Sequence, residues 1–507
     1  MELCQRFTED EVKSPQSIAM PNFLANHSKQ NFIDGKWTPA ATGEHIETFN
    51  PANGKLLATL ARSRQTDVDA AVASARRSFN GPWSRFTPAQ RQQLIIRYAE
   101  LVEANFEELT LLESLDMGAP LFTRLRPGKN GALQTILYYA AQARNIVGDI
   151  PSNSLFGDVT TMVVKAPVGV VGGIVPWNGS LFAQMHILGP VLATGCTAVV
   201  KPAEDASLAM LRTAELLMEA GLPTGVWNVV TGAGSEAGAA LAAHPDVNRI
   251  AFTGSTATGR EIIKASAGNM KRLQLELGGK SPDIVFADAD LEKAIPGVAM
   301  GVFSNSGQIC FAGTRVFVQR SIQDEFVERL GAYSRTLKVG DPLAPDTQLG
   351  PVISRRQLDR VLSYVDIGTQ EGAQLISGGK RLEGELAAGY YIEPTVFSNV
   401  SNAMTIAQEE IFGPVASVIP FDTADEALQL ANATEYGLAS GVWTNSINTA
   451  LKMAHGIEAG TVWVNCYGLV DPAVGFGGYK QSGYGWKGGQ AQIDGYLYQK
   501  AIYINGN

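Results

Sequence analysis

From residue 168 onward the chain alternates short apolar runs with helical stretches, and few architectures accommodate that rhythm. The run 168–175, Val-Gly-Val-Val-Gly-Gly-Ile-Val, has the length and composition of a buried strand and stops at Pro176-Trp177-Asn178. Ala198-Val-Val-Lys-Pro202 is a second strand, followed by an Ala/Leu-rich helix over 207–220; 226–231 and 249–253 are two more strands. Strands separated by helices pair in parallel, with helices on both faces and ligands at the strand C-terminal ends. A second unit of this kind begins near 281–286 and continues through strands at 315–319 and 415–421, helices at 323–337 and 424–433, and a late core strand at 461–465. The expected class is α/β, with two doubly wound parallel-sheet domains.

The flanks read differently. Residues 1–30 resemble a loose arm, and a strand pair follows around 32–37. A helical region spans 66–115, with Asp67, Val68, Ala71, Val72, Ala75 and Phe79 on one face and Leu94, Tyr98, Leu101 and Val102 on another; Pro82 and Pro88 break it between them. The longest apolar stretch, 159–177, contains Lys165, Pro167 and Pro176, so it reads as two strands rather than a membrane span. The glycine-dense 475–483 reads as a loop. The ending, 496–504, is an extended half-apolar strand in need of an edge, and 159–165 is a candidate partner. Two exposed strands of this sort predict a homo-oligomer built by sheet extension.

At 507 residues, two or three lobes are expected. A formal net charge of −9 with no basic tract argues against nucleic acid or anionic membrane as partners. The four cysteines (Cys4, Cys196, Cys310 and Cys466) are scattered, without a C-x-x-C pair or neighbouring histidines. That spacing supplies neither a metal site nor a disulfide framework, which points to a reducing cytoplasm. The N-terminal MELCQRFTEDEVKSP mixes acids and bases and lacks the apolar core of a secretory signal.

Chemistry concentrates in a few places. Cys310 follows the small-residue turn Asn305-Ser306-Gly307 and precedes Ala312-Gly313, which lets other molecules approach its sulfur; a thiolate there is a good nucleophile for a carbonyl carbon. Taken alone, an inert buried cysteine is the commoner outcome. Glu276 stands between two leucines in Leu-Glu-Leu-Gly-Gly, a costly place for a carboxylate unless it has a partner or work to do, a general base being one such job. Asn178 is either a turn cap or an oxyanion donor. The segment Gly254-Ser-Thr-Ala-Thr-Gly259 opens a helix after a strand, as a pyrophosphate site would, although Thr256 replaces the middle glycine of G-x-G-x-x-G. Lys201 and Glu204, at a strand end, suit the hydroxyls of an adenosine ribose, or form a solvated surface pair. At a ribose, Glu204 would disfavour a 2′-phosphate and select NAD over NADP.

Taken in order, PWN, KPAE, FTGST, LELGGK, GQIC, EEIFGP and FGGYKQSG resemble the NAD(P)-dependent aldehyde dehydrogenase superfamily, from about residue 32 to 504. The finer likeness is to bacterial phenylacetaldehyde-type dehydrogenases. The resemblance implies that Cys310 attacks the aldehyde, Glu276 activates the hydrolytic water and Asn178 stabilises the oxyanion. It implies NAD as cofactor, held by Ile174, Pro176, Trp177, Lys201, Glu204, Gly234, Phe252, Gly254, Ser255, Gly259, Leu277, Glu410 and Phe412. It places Gly179, Phe182, Ile309, Phe311, Val470 and Phe476 along the substrate channel. The implied subunit has a Rossmann-like cofactor domain (1–148 and 168–279), a catalytic domain (280–484) and a bridging oligomerisation strand pair (149–167 and 485–507), assembled as a homodimer or homotetramer. Two positions depart from the pattern. Gly179-Ser180-Leu181 replaces Phe-Pro-Leu, which should widen the channel, and Ile187 stands where many members carry a proton-relay lysine.

Overall fold

The computed structural model describes residues 20–506. Of the arm expected over 1–30, residues 1–19, Cys4 among them, lie outside the described part. The remainder is not loose: Asn22–Leu24 is a 3-10 turn with Leu24 buried, and Ser28–Lys29 pairs in parallel with Leu56–Ala61.

The first sheet has eight strands in the order Gly483–Tyr484, Arg272–Glu276, Arg249–Thr253, Val170–Val175, Thr197–Pro202, Trp227–Val229, Asn31–Ile33 and Lys36–Thr38. The run from Arg272–Glu276 to Trp227–Val229 is parallel throughout. The strands at 170, 197 and 227 are laid down in one direction. The chain then returns to place 249 and 272 on the other side of 170. This reversal opens a crevice at the C-terminal ends of Val170–Val175 and Arg249–Thr253, where Pro176-Trp177 and Gly254 emerge. Both faces of the central strands are covered, which is why their sequences run apolar without alternation.

The second sheet has seven strands, Gln374–Ser377, Thr395–Ser398, Val415–Phe421, Arg315–Gln319, Pro282–Val285, Ala439–Trp443 and Thr461–Val464, all parallel but the first. The late strand is at the sheet edge rather than in the core, and only Trp463 of its four residues is buried. Here the functional segments precede their strands: the glycines of LELGG lead into Pro282–Val285, the Cys310 loop into Arg315–Gln319, and Glu410 to Phe412 into Val415–Phe421. The cleft therefore joins strand C-terminal ends of one sheet to N-terminal ends of the other.

Pro82 and Pro88 divide the early helices as expected. Gln65–Asn80 ends before Pro82, and Pro88–Ala104 starts on a capping box of Thr87 with Gln90. A 22-residue helix, Leu121–Gln142, was not foreseen, and Pro127 and Gly128 within it are residues that disfavour a helix interior. Tertiary contact overrides that preference: Ile136 and Tyr139 are fully buried against the rest of the core. The loop expected over 475–483 contains the two-residue strand Tyr479–Lys480, paired with Tyr436–Gly437. The terminal strand Leu497–Asn505 pairs antiparallel with Val159–Pro167 through nine residues, from Leu497 opposite Pro167 to Asn505 opposite Val159. No described helix is long and apolar enough to cross a membrane.

Candidate active site

The loop carrying Cys310 is built on a left-handed turn, with φ of 53° at Asn305, 55° at Ser306 and 72° at Gly307. Two side-chain-bearing residues in that region carry strain, held here by surrounding bonds. Ser306 Oγ donates to the Gly350 carbonyl at 2.7 Å, Gln308 Nε2 to the Asn305 carbonyl at 3.1 Å, and Ile353 N–H to Gln308 Oε1 at 2.8 Å. A Cβ on Gly307 would collide with the Gly413 carbonyl, so position 307 requires glycine twice over. The turn leaves Cys310 half-buried at the base of the cleft. Asn178 lies against the same loop: its Nδ2 donates to the Gln308 carbonyl at 2.8 Å, and Asn305 Nδ2 donates to the Asn178 carbonyl at 3.3 Å.

Glu276 ends its strand 1 % exposed, with both carboxylate oxygens lacking a hydrogen-bond partner among the described residues. Burial pushes its pKa up to about 8, with the charge of Lys487 pulling the other way. The two glycines that follow are contact points rather than hinges. A Cβ on Gly278 would lie 2.5 Å from Glu410 Oε2, and one on Gly279 would collide with the Cys310 carbonyl. Gly279 N–H donates to Glu410 Oε1 at 3.1 Å. Three segments more than 130 positions apart in total thus meet because two side chains are missing. Glu410 is raised to about 7 by burial, against the Gly279 N–H and the charges of Lys280 and Arg360. The Cys310 thiol is pushed up to about 12, first by burial; Glu276 and Glu410 add to this, while Lys487 and the Phe311 N–H oppose it. Burial thus disfavours the thiolate, the form that reacts. Ser482, which sequence reasoning missed, clamps the glycine turn: its Oγ donates to the Gly278 carbonyl at 2.8 Å.

Along the crevice of the first sheet, Lys201 is buried and its Nζ donates to Glu204 Oε2 at 2.8 Å, while the Glu204 side chain stays 42 % exposed, so only the lysine half of the pair is withdrawn from solvent. Partial burial raises the Glu204 pKa, but the Lys201 charge and hydrogen bond, with the N–H groups of Glu204 itself and Gly234, bring it below the ordinary value. Gly234 faces open space, with no atom within 4 Å of a Cβ built there. Gly254 lies under the Phe252 ring, and Gly259 admits Leu277, whose side chain would sit 2.7 Å from a Cβ. Ser255 caps the helix Thr256–Ser266, its Oγ accepting from Thr258 N–H at 3.2 Å. Ile174 and Pro176 flank the strand end half-buried, and Trp177 meets Phe412 edge-on at 5.2 Å. Phe412 itself is left-handed, at φ 60°, fixed by Gln357 Nε2 on its carbonyl at 2.8 Å.

On the other side of Cys310 the wall is aromatic. Phe311 packs with Phe476 at 5.7 Å and with Trp463 at 5.6 Å, and Trp463 with Tyr467 at 4.8 Å. Trp463 and Tyr467 were not singled out from sequence, although their aromatic character beside Asn465 was the available signal. Tyr467 hydroxyl donates to the Phe311 carbonyl at 2.6 Å. Ile309 is half-buried within the Cys310 loop, and Val470 is exposed on the loop beyond Tyr467. Phe182 is exposed beside Gly131 of the unforeseen helix and stacks edge-on over His186 at 4.8 Å. Gly179 has nothing within 4 Å of a Cβ built there. Ser180 does not contribute to that space: it is buried, and its Oγ donates to Glu113 Oε1 at 3.3 Å. Ile187 packs on the sheet against Gly173, where a Cβ would lie 3.1 Å from its Cδ1.

Residues 37–502 match the model of the aldehyde dehydrogenase family. The chain belongs to the aldehyde dehydrogenase family. It is 44% identical over 473 residues to aldehyde dehydrogenase 1 of Tanacetum cinerariifolium, covering 93% of this chain and 94% of that one. An aldehyde dehydrogenase from Bacillus cereus, solved as its NAD+ complex, superposes with a TM-score of 0.93 at 44% identity, over 96% of this chain and 98% of that one. The P. syringae AldA indole-3-acetaldehyde dehydrogenase, solved with NAD+ and IAA, gives a TM-score of 0.91 at 44% identity over 94% and 96% of the two chains. The enzyme class and α/β architecture expected from the sequence stand.

Proposed function

We propose that this aldehyde dehydrogenase uses NAD to oxidise arylaldehydes, phenylacetaldehyde among them, to carboxylic acids. The observation that carries the substrate class is the apolar, aromatic wall of Phe311, Trp463 and Phe476 beside Cys310, with free volume at Gly179. The likeness to an indole-3-acetaldehyde dehydrogenase supports it. An apolar channel grades its substrates by shape and size, at about 1–3 kcal/mol per methylene-sized difference.

The residues at the crevice fit a dinucleotide. Lys201 and Glu204 offer a donor and an acceptor to the adenosine ribose, beside the open space at Gly234. Gly254 and Ser255 present a helix N-terminus to the pyrophosphate. Glu410, with Phe412 and Trp177 near it, holds the nicotinamide ribose. When bound, NAD accepts the hydride released from the substrate carbon. The chain's own residues do the rest. The Cys310 thiolate, its proton given up to a base beforehand, adds to the aldehyde carbon, and Asn178 Nδ2 with the Cys310 N–H steadies the oxyanion of the thiohemiacetal. After oxidation to the Cys310 thioester, Glu276 takes a proton from water, which attacks the acyl carbon and frees the acid and the thiol.

A panel of aldehydes followed at the NADH absorbance tests the reading. Phenylacetaldehyde should give a higher kcat/KM than acetaldehyde or betaine aldehyde. Gly179→Phe should cost phenylacetaldehyde about 10–100-fold in kcat/KM and acetaldehyde clearly less, because it fills the channel rather than the site of attack. A wild-type preference for acetaldehyde, or equal losses on both, counts against the aryl assignment. Glu204→Gln should narrow the preference for NAD over NADP by about tenfold, by removing a negative charge near the 2′ position. An unmoved ratio of specificity constants would remove Glu204 from the ribose.

We also propose a cytoplasmic homodimer or homotetramer joined through the strand pair Val159–Pro167 and Leu497–Asn505. These two strands form a sheet of their own, and Tyr498, Tyr503 and Ile504 on the terminal strand are exposed. Light scattering on a chain truncated before Leu497 tests it, a smaller assembly being the expected result.

A further inference from the structure

One charge recurs around the cleft without a part in the steps above. Lys487 lies opposite Phe476, and their backbones exchange two hydrogen bonds of 2.7 Å, which fixes its main chain to the aromatic wall. Its side chain is half-buried, and Nζ donates to Thr253 Oγ1 at 3.2 Å. Thr253 is the register partner of Glu276 across the parallel strands, and Gly254 N–H donates to the Glu276 carbonyl at 3.0 Å. The ammonium therefore sits beside the strand end that carries Glu276.

That carboxyl is buried with neither oxygen paired. A carboxylate so placed relieves its desolvation by keeping a proton, unless a cation reaches it. The groups facing this point can be named element by element. The loop before Val415–Phe421 brings Glu410, and the loop before Arg315–Gln319 brings Cys310. The helix Ser180–Thr194 brings His186, whose pKa is lowered to about 3 by burial and then by Lys487, against a hydrogen bond from its ring to Gln492, so it stays neutral. Ile187, its neighbour on that helix, brings no charge. Lys487 is the cation that acts on both Glu276 and Cys310, and at Cys310 it is opposed by Glu276 and Glu410.

We propose that Lys487 is a positioning residue for the oxidation: held between Phe476 and Thr253, it eases the ionisation of Glu276 and favours the thiolate of Cys310. The role rests on the assignment of Cys310 and Glu276 given above, and acts through them.

The test reads the thiol directly. The full-length enzyme, without aldehyde, is alkylated with iodoacetamide over a pH series, and modification is followed on the Cys310 peptide by mass spectrometry so that Cys466 does not interfere. In Lys487→Met the midpoint of the Cys310 profile should move up by about half a unit or more, and the rate at pH 8 should fall about threefold or more. Lys487→Arg, which keeps the charge, should hold the wild-type midpoint. The kcat/KM profile for phenylacetaldehyde should shift in the same direction in Lys487→Met. A Lys487→Met profile that coincides with wild type overturns the proposal, as does an equal shift in Lys487→Arg. Should Lys487→Met fail to fold, Thr253→Val removes only the hydrogen bond that aims the ammonium; an upward midpoint supports the role and an unmoved one overturns it. A wild-type enzyme that oxidises no aldehyde would defeat the functional reading, while the alkylation profile would still decide this one.

Discussion

Cys310→Ala is expected to lower aldehyde oxidation by about 10⁴-fold or more, to the background of the assay, because in the proposed mechanism its sulfur forms the covalent intermediate. Folding and NAD binding should survive. The loop geometry is set by Ser306, Gln308 and the left-handed turn rather than by the sulfur. Losing one half-buried sulfur atom should cost no more than about 1 kcal/mol. Thermal unfolding and NAD titration by calorimetry separate this from a collapsed site. Turnover above a few per cent of wild type, in protein of matched stability, would remove Cys310 from the nucleophile role.

Glu276→Gln is expected to release a burst of NADH near one equivalent per enzyme and then to turn over about 10²–10⁴-fold more slowly, since acylation proceeds and hydrolysis lacks its base. The raised pKa adds two consequences. With its carboxyl titrating at about 8, wild-type hydrolysis should fall about tenfold for each pH unit below that value and level off above it. The same substitution should also stabilise the fold at neutral pH. The sign follows from linkage: a carboxyl of ordinary pKa 4.5, raised to about 8 by folding, binds more protons in the native state between those values. Native stability is therefore undiminished below pH 4.5 and drains away as pH rises towards 8. At 1.36 kcal/mol per unit, the cost near pH 7 is about 3 kcal/mol, which glutamine does not incur. A variant without a burst would place Glu276 earlier, at deprotonation of the thiol. An unfolding temperature that tracks wild type across pH 5 to about 8 would mean the carboxyl is not desolvated in solution.

How much of this was legible beforehand depends on how far apart the interacting residues lie. The apolar runs at 170–175, 197–202 and 249–253 announce buried parallel strands by composition alone, because burial on both faces leaves no polar alternation. That the terminal strand pairs with the strand at 159–165 was equally readable, since an extended half-apolar end needs an edge; its antiparallel sense was not. Motif wording singled out Cys310, Glu276, Asn178, Lys201 and Glu204; Asn178 lies against the Cys310 loop, and Lys201 is paired with Glu204.

The helix Leu121–Gln142 was lost for the opposite reason. Local preference at Pro127 and Gly128 speaks against it, and only packing of Ile136 and Tyr139 decides in its favour. Strand order is likewise invisible in a single run of residues, so 461–464 read as core when it lies at an edge. The sequence by itself determined the α/β alternation and the family, because these are written in local pattern and short motifs. Only the tertiary structure decided that Gly278 and Gly279 are gaps through which Glu410 and the Cys310 loop approach, and that Lys487 reaches the strand end of Glu276. Close approach and electrostatic field depend on distance in space, and residues 211 positions apart carry no trace of that distance in their order along the chain.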